Sequence, residues 1–198
     1  MIAIIDYGMG NLRSVQKAFE KIGAQAIITQ SAADILSAEK IVLPGVGAMR
    51  PAMEKLRSLK LPVVIKTVIK KGKPFLGICL GMQLLFEEGK EGGTVKGLGI
   101  FPGTVNRFTR LKVPHIGWNR LVFKRGCSLF SGINDKAYAY FCHSYYVKPK
   151  DKKLIAAITD YGISFTSAIA IDNIFGVQFH PEKSQTIGLK ILQSFKEI

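Results

Sequence analysis

The sequence predicts an α/β protein, with a mixed, mainly parallel sheet flanked by helices and antiparallel strands added in its second half. Two patterns predict it. Through residues 2–88, short apolar runs alternate with helix-period segments, the signature of βα units on a parallel sheet. From residue 104 the helical period gives way to strand-like runs between turn-rich segments, until a last strand and helix close the chain.

Taken in order, residues 2–5 form a first strand and residues 11–22 a helix, with Leu12, Val15, Phe19 and Ile22 on one face. The pattern recurs at 25–29, at 41–43 with the helical stretches after it, and at 74–78, which leads into a helix expected over 80–88. Residues 104–108, 119–123, 138–147, 154–159 and 164–171 read as strands. A strand at 175–179 precedes a helix over 184–196, whose Ile187, Ile191, Leu192 and Phe195 make one apolar stripe. The 198 residues suit one domain, 1–198, and a composition of 47% apolar and 21% charged residues is that of a chain with a packed core.

Several function classes are excluded at this level. The longest apolar stretches, 41–49 and 74–82, fall short of the ~18–20 residues that cross a bilayer, so no membrane span is expected. MIAIIDYG has no basic leader and reads as a strand, not a signal peptide, which implies a cytoplasmic protein. Cys79, Cys127 and Cys142 are odd in number and lack C-x-x-C spacing, against both a disulfide framework and a zinc site. No metal and no organic cofactor is implied. The net charge of +14 is dispersed, and its densest runs, 66–73 and 148–153, lack the interleaved aromatics of a nucleic-acid platform. A solvated basic face is the expectation, with no nucleic-acid partner.

Three segments carry chemistry. Cys79 sits in Gly77-Ile78-Cys79-Leu80-Gly81, a G-x-C-x-G frame between a buried-type strand and a helix. A nucleophile on such a tight turn needs small neighbours, and the start of the helix offers free backbone N–H groups to a developing oxyanion. His180 and Glu182 end an apolar strand; two apart in extended backbone, they face one way, so the carboxylate can fix the imidazole tautomer while the other ring nitrogen meets the thiol. Pro44-Gly45-Val46-Gly47 follows another strand and reads as a glycine-rich loop able to supply a second oxyanion N–H beside that of Leu80. Cys127 and Cys142 lack such a context and are expected to be packing residues.

PGVGA, GICLGMQLLF and FGVQFHPEKS, in this order and at these separations, resemble the class I glutamine amidotransferases over almost the whole chain. The resemblance implies a flavodoxin-like sheet and a Cys-His-Glu triad that hydrolyses glutamine through a thioester. Cys79 would be the nucleophile, His180 the acid and base, Glu182 its orienter, and Val46 and Leu80 the oxyanion donors. Gly45, Gly47, Gln83, Ser144 and Tyr145 would bind the substrate. IIDYGMGNLRSV, VPHIGWN and YFCHSYYV are similar to the glutaminase subunits of imidazole glycerol phosphate synthases, which implies docking on a separate (β/α)8-barrel cyclase that receives the ammonia. Asn11, Trp118, Asn119 and Tyr138 would then lie at or near that interface, with a core aromatic as the other reading of Trp118. His115 and His143 read as structural or interface residues. The glycines of residues 45–47 permit a peptide flip, so the oxyanion loop is expected to be mis-set until the partner docks.

Overall fold

The computed structural model describes every residue except Arg125. The first half runs β1 (Ile2–Ile5), α1 (Leu12–Lys21), β2 (Ala26–Thr29), α2 (Ala32–Ser37), β3 (Lys40–Gly45), α3 (Met49–Ser58), α4 (Leu61–Lys70), β4 (Phe75–Cys79) and α5 (Leu80–Leu84). The second half is mostly strand: β5 (Phe86–Lys90), β6 (Thr94–Lys96), β7 (Phe101–Arg107), β8 (His115–Arg120), β9 (Val122–Phe123), β10 (Tyr138–His143), β11 (Tyr145–Pro149), β12 (Ile155–Asp160), β13 (Ser164–Ile171) and β14 (Ile174–Val177), before α6 (Gln185–Glu197).

Strands β2-β1-β3-β4-β14 lie side by side and parallel, the flavodoxin-like order expected of βα units. Antiparallel β13, β11 and β7 extend this sheet, β5 and β6 close its far edge, and β12 and β9 branch from β13. A separate antiparallel ribbon of β8 and β10 stands off it.

Both faces of the parallel half are covered, so its strands are apolar throughout rather than alternating. Side chains along β1 still point to opposite faces: Ile2 and Ile4 join one core cluster, Ala3 and Ile5 the other. The first cluster takes in Phe19 of α1 and Ile191, Leu192 and Phe195 of α6, as their helical spacing requires. The second is closed by Ile35, Met53, Leu56, Ile65 and Val68 from α2, α3 and α4.

Register brings the chemistry-bearing segments to one edge. Gly45 of β3 pairs with Cys79 of β4, and Val177 of β14 pairs with Ile78, so the carboxyl ends of three neighbouring strands finish level. Parallel α/β sheets bind ligands along this edge.

Several expected boundaries move, and the strand expected over 119–123 divides, its start ending β8 beside β10 and its end forming β9 beside β12. The helix over 80–88 stops after Leu84, because the carbonyls of Leu84 and Leu85 accept from Leu98, Ile100 and Phe101, which turns Phe86 into the strand β5. An apolar run such as LGMQLLF satisfies both periods, and these long-range partners decide. The strand over 138–147 breaks at Ser144: β10 pairs with β8, whereas β11 joins β7 and β13 in the main sheet. Residues 181–183 form a short 3-10 turn, so Glu182 meets His180 by turning back, not by sharing one face of a strand.

The glycines flanking Cys79 are demanded by space. A Cβ on Gly81 would run into the carbonyl oxygen of Leu43, and one on Gly77 would lie 2.8 Å from the Met82 nitrogen. Both obstacles are backbone and cannot swing aside. Gly81→Ala should lower the unfolding free energy by about 3 kcal/mol in urea titration. A loss below about 0.5 kcal/mol would contradict this crowding.

Candidate active site

Cys79 ends β4 at φ +53° and ψ −110°, a conformation that a residue with a Cβ holds at a cost of about 1–3 kcal/mol. The surrounding sheet maintains it, since Cys79 is pinned in register with Gly45 on one side and its strand pairs with β14 on the other. Its side chain reaches a cavity of about 460 Å³, also lined by Val46, Gly47, Leu80, Gln83, Ser144, Tyr145 and His180.

His180 is buried and its position is set by the β8/β10 ribbon. The His180 N–H donates to the Tyr140 carbonyl at 2.9 Å. The Ser184 hydroxyl accepts from Tyr140 N–H at 2.9 Å and donates to the His180 carbonyl at 2.7 Å, so one buried serine clamps the loop to β10. The Pro181–Lys183 turn then brings Glu182 Oε1 to 2.8 Å from His180 Nδ1, with side-chain exposures of 1% and 4%. Glu182 Oε2 is buried without a hydrogen-bond partner among the described residues. The carboxylate therefore has His180 as its partner, and at the far end of the ring Nε2 is left for the thiol. Burial is the largest single influence on His180 and lowers its pKa, but hydrogen bonding to Cys79 and Glu182 and their charges together outweigh it, raising the pKa to about 10. The ring is built to take and hold a proton.

Other expected residues are placed as follows. Gly45 is buried beneath the loop, against the Tyr7 hydroxyl and Leu80, and does not line the cavity; Val46 is 42% exposed and Gly47 adopts φ +91°. Gln83 Nε2 donates to the Tyr145 carbonyl at 2.9 Å and to Gln178 Oε1 at 3.0 Å. Trp118 and Tyr138 are exposed by 45% and 56% and share a shallow depression with residues 184–187, so Trp118 is not a core aromatic. Asn11 is exposed just before α1, and Asn119 is half-buried on β8.

Cys142 corrects an expectation. It is exposed, lines the cavity, and its carbonyl faces the Cys79 thiol at 3.9 Å, because β10 alternates and its neighbours Phe141 and His143 take the inward positions. Three further residues went unnoticed in the sequence. Gln178 Nε2 approaches Cys79 Sγ at 3.6 Å, Glu91 lines the cavity while accepting from the N–H of Met49 at 2.8 Å, and Tyr7 is packed beneath Gly45 with its hydroxyl lacking a partner among the described residues. Burial, then the nearby Cys79, raises the Tyr7 pKa. Gln178 lies two residues before His180 and one past the residue paired with Ile78, a position that follows only from strand pairing.

Among the described residues no group of three or more His, Cys, Asp or Glu side chains could hold a metal ion, and no helix is long and apolar enough to cross a membrane.

His115 and His143 are buried, and burial lowers their pKa values to about 4 and about 3 from an ordinary 6.5. Between those values and 6.5 the unfolded chain binds more protons, so their contribution to stability is complete above 6.5 and is lost as pH falls. His180 works in the opposite sense: its contribution is complete below 6.5 and is lost as pH rises through about 10. Urea unfolding across pH should therefore show maximal stability near neutrality. Stability still rising as pH drops from 6.5 to 4 would contradict neutral, buried rings at 115 and 143.

Comparison with known proteins follows the same lines. Residues 3–197 match the family described as glutamine amidotransferase class-I. The chain is 54% identical to imidazole glycerol phosphate synthase subunit HisH of Geobacter metallireducens, covering 98% of this chain and 96% of that protein. It is 50% identical to the same-named subunit of Aquifex aeolicus, covering 98% of this chain and 94% of the other. Among solved structures it resembles one described as a glutamine amidotransferase, with TM-score 0.79 and 16% identity over 100% of this chain and 98% of that one. PurLQS from Thermotoga maritima gives TM-score 0.75 at 21% identity, over 99% and 97% of the two chains; at such identities the likeness is one of fold. With a strained cysteine turn, a buried histidine–glutamate pair and a family match over residues 3–197, the chain belongs to the class I glutamine amidotransferases.

Proposed function

We propose that this chain is the cytoplasmic glutaminase subunit of an imidazole glycerol phosphate synthase, working in histidine biosynthesis with a (β/α)8-barrel cyclase of the HisF type. The observation that carries the chemistry is the convergence of Cys79 and the His180–Glu182 pair on one cavity. The full-length HisH relatives support the choice of synthase.

His180 takes the thiol proton, and the Cys79 sulfur attacks the side-chain amide carbon of glutamine. The negative charge formed on the carbonyl oxygen is met by the N–H of Leu80 and, once the loop is set, that of Val46. As the C–N bond breaks, His180 passes its proton to the leaving nitrogen and ammonia departs, leaving a glutamyl thioester. Water, deprotonated by His180, attacks the thioester; glutamate leaves and the thiol regains its proton. Glu182 keeps Nδ1–H fixed, so Nε2 serves each transfer. Gln83, Ser144 and Tyr145 hold the amino-acid end of the substrate, and no cofactor enters the cycle.

Ammonia is a nucleophile only when unprotonated, so a dry route to the second site preserves it. The exposed Ile116, Trp118 and Tyr138 on the β8/β10 ribbon, with the half-buried Asn119 of β8 and the exposed Asn11 just before α1, supply the docking surface. Docking sets the loop at residues 45–47, where the exposed Val46 and the φ +91° of Gly47 leave a peptide free to turn.

In the assembled synthase, Cys79→Ala should reduce glutamine-dependent synthesis by about 1,000-fold or more while ammonia-dependent synthesis persists. Retained use of glutamine would refute the assignment. The parent chain should hydrolyse glutamine faster with the cyclase and its ligand bound than alone, and equal rates would remove the loop-setting step.

A further inference from the structure

Two buried imidazoles have no part in the proposed mechanism. His115 stacks on Tyr161 and Phe141, with ring centroids at 4.0 and 5.0 Å, and His143 packs against Phe108 and Phe165 at 5.4 and 5.3 Å. An aromatic cluster of this kind could be filled by phenylalanine or leucine. Polar rings there are costly unless fully paired, and these are paired end to end.

The direction of that chain can be derived. The Tyr145 carbonyl only accepts, so His143 Nδ1, at 2.8 Å, carries the proton. The ring is neutral, which leaves Nε2 bare to accept from His115 Nδ1–H at 3.0 Å. His115 Nε2 is then also bare, and accepts from Asn119 Nδ2 at 3.2 Å. The Asn119 amide cannot be turned round: its Oδ1 accepts from Arg120 N–H at 2.7 Å and its Nδ2 also donates to the Asp160 carbonyl at 2.8 Å. Proton donation therefore runs one way, from Asn119 on β8 to the Tyr145 carbonyl.

That carbonyl is also the acceptor for Gln83 Nε2, whose second proton goes to Gln178 Oε1. With both N–H groups committed, Gln83 Oε1 is the atom left for the substrate. Gln178 Nε2 continues the chain to Cys79 Sγ.

We propose that Asn119, His115 and His143 are positioning residues for glutamine hydrolysis: a neutral hydrogen-bond relay that fixes the Tyr145 carbonyl and so makes Gln83 present an acceptor to the glutamine α-ammonium. This rests on the glutaminase reading. Without the relay the Gln83 amide can turn over and offer its NH2 to a cation, which weakens substrate binding more than it slows the chemical steps. The relay also begins on the strand that carries Trp118, so a partner packed on β8 bears on its first link.

Two measurements test it. Ring nitrogen-15 shifts of the full chain at pH 7 should show both His115 and His143 as neutral Nδ1–H tautomers; an Nε2–H tautomer or an imidazolium at either position overturns the relay. In the assembled synthase, His143→Gln loses the donor to Tyr145, whereas the shorter amide of His143→Asn can replace Nδ1–H. KM for glutamine should rise about tenfold in H143Q and about twofold or less in H143N, with kcat in both within about threefold of the parent. Equal KM values in the two variants would mark the histidine as purely structural. Should neither fold, Asn119→Asp supplies the remaining test, because a carboxylate accepts from Nε2 and reverses the His115 tautomer. An unaltered His115 signal in N119D overturns the proposal, and a reversed one with raised KM supports it. Ring tautomers are read without turnover, so a failed relay and a failed glutaminase assignment give different results.

Discussion

The turn at Cys79 is the constraint on which the rest of the site depends. A side-chain-bearing residue is held at φ +53° between two strands that cannot shift, and the chain beyond it must pass directly over the carbonyl of Leu43. Only glycine at positions 77 and 81 allows that passage. The strain of about 1–3 kcal/mol is offset by the burial of β3, β4 and β14 in the two-sided core, and it leaves the sulfur at the cavity rather than inside the sheet. The same crowding places Gly45 against Leu80, bringing the loop at residues 45–47 beside Cys79.

The β8/β10 ribbon supplies the rest of the site. It leaves the main sheet at Ser144, so Ser144 and Tyr145 face the cavity at the point where the chain changes sheets. Its Tyr140 is bonded on both backbone groups to the His180 segment, directly through the carbonyl and through Ser184 at the nitrogen. The ribbon's exposed side chains include Ile116, Trp118 and Tyr138. One two-stranded element thus joins the surface proposed for the partner, the His180 segment and the cavity at Cys79.

The parallel half was legible because each βα unit announces itself twice, by a buried run and by a helical stripe such as Leu12, Val15, Phe19 and Ile22. The frame around Cys79 was legible for a local reason, the need for small residues on either side of a tight turn. What escaped depends on partners distant in sequence. Phe86 became strand through carbonyls captured by residues 98–101, and Cys142 turned outward by its place in β10. Gln178 and Tyr7 reach the site only through register and packing, which no local pattern encodes. His180 and Glu182 were paired correctly for a mistaken reason, since a turn brings them together.

The central claim is that Cys79 is the thiol that attacks glutamine, and Cys142 is the informative rival because it is exposed in the same cavity. Peptide mass spectrometry after treating the assembled synthase with an electrophilic diazoketone analogue of glutamine tests this directly. The account predicts one adduct, on the peptide containing Cys79, suppressed by excess glutamine. An adduct on Cys142, or labelling of Cys79 that glutamine does not compete away, would contradict it.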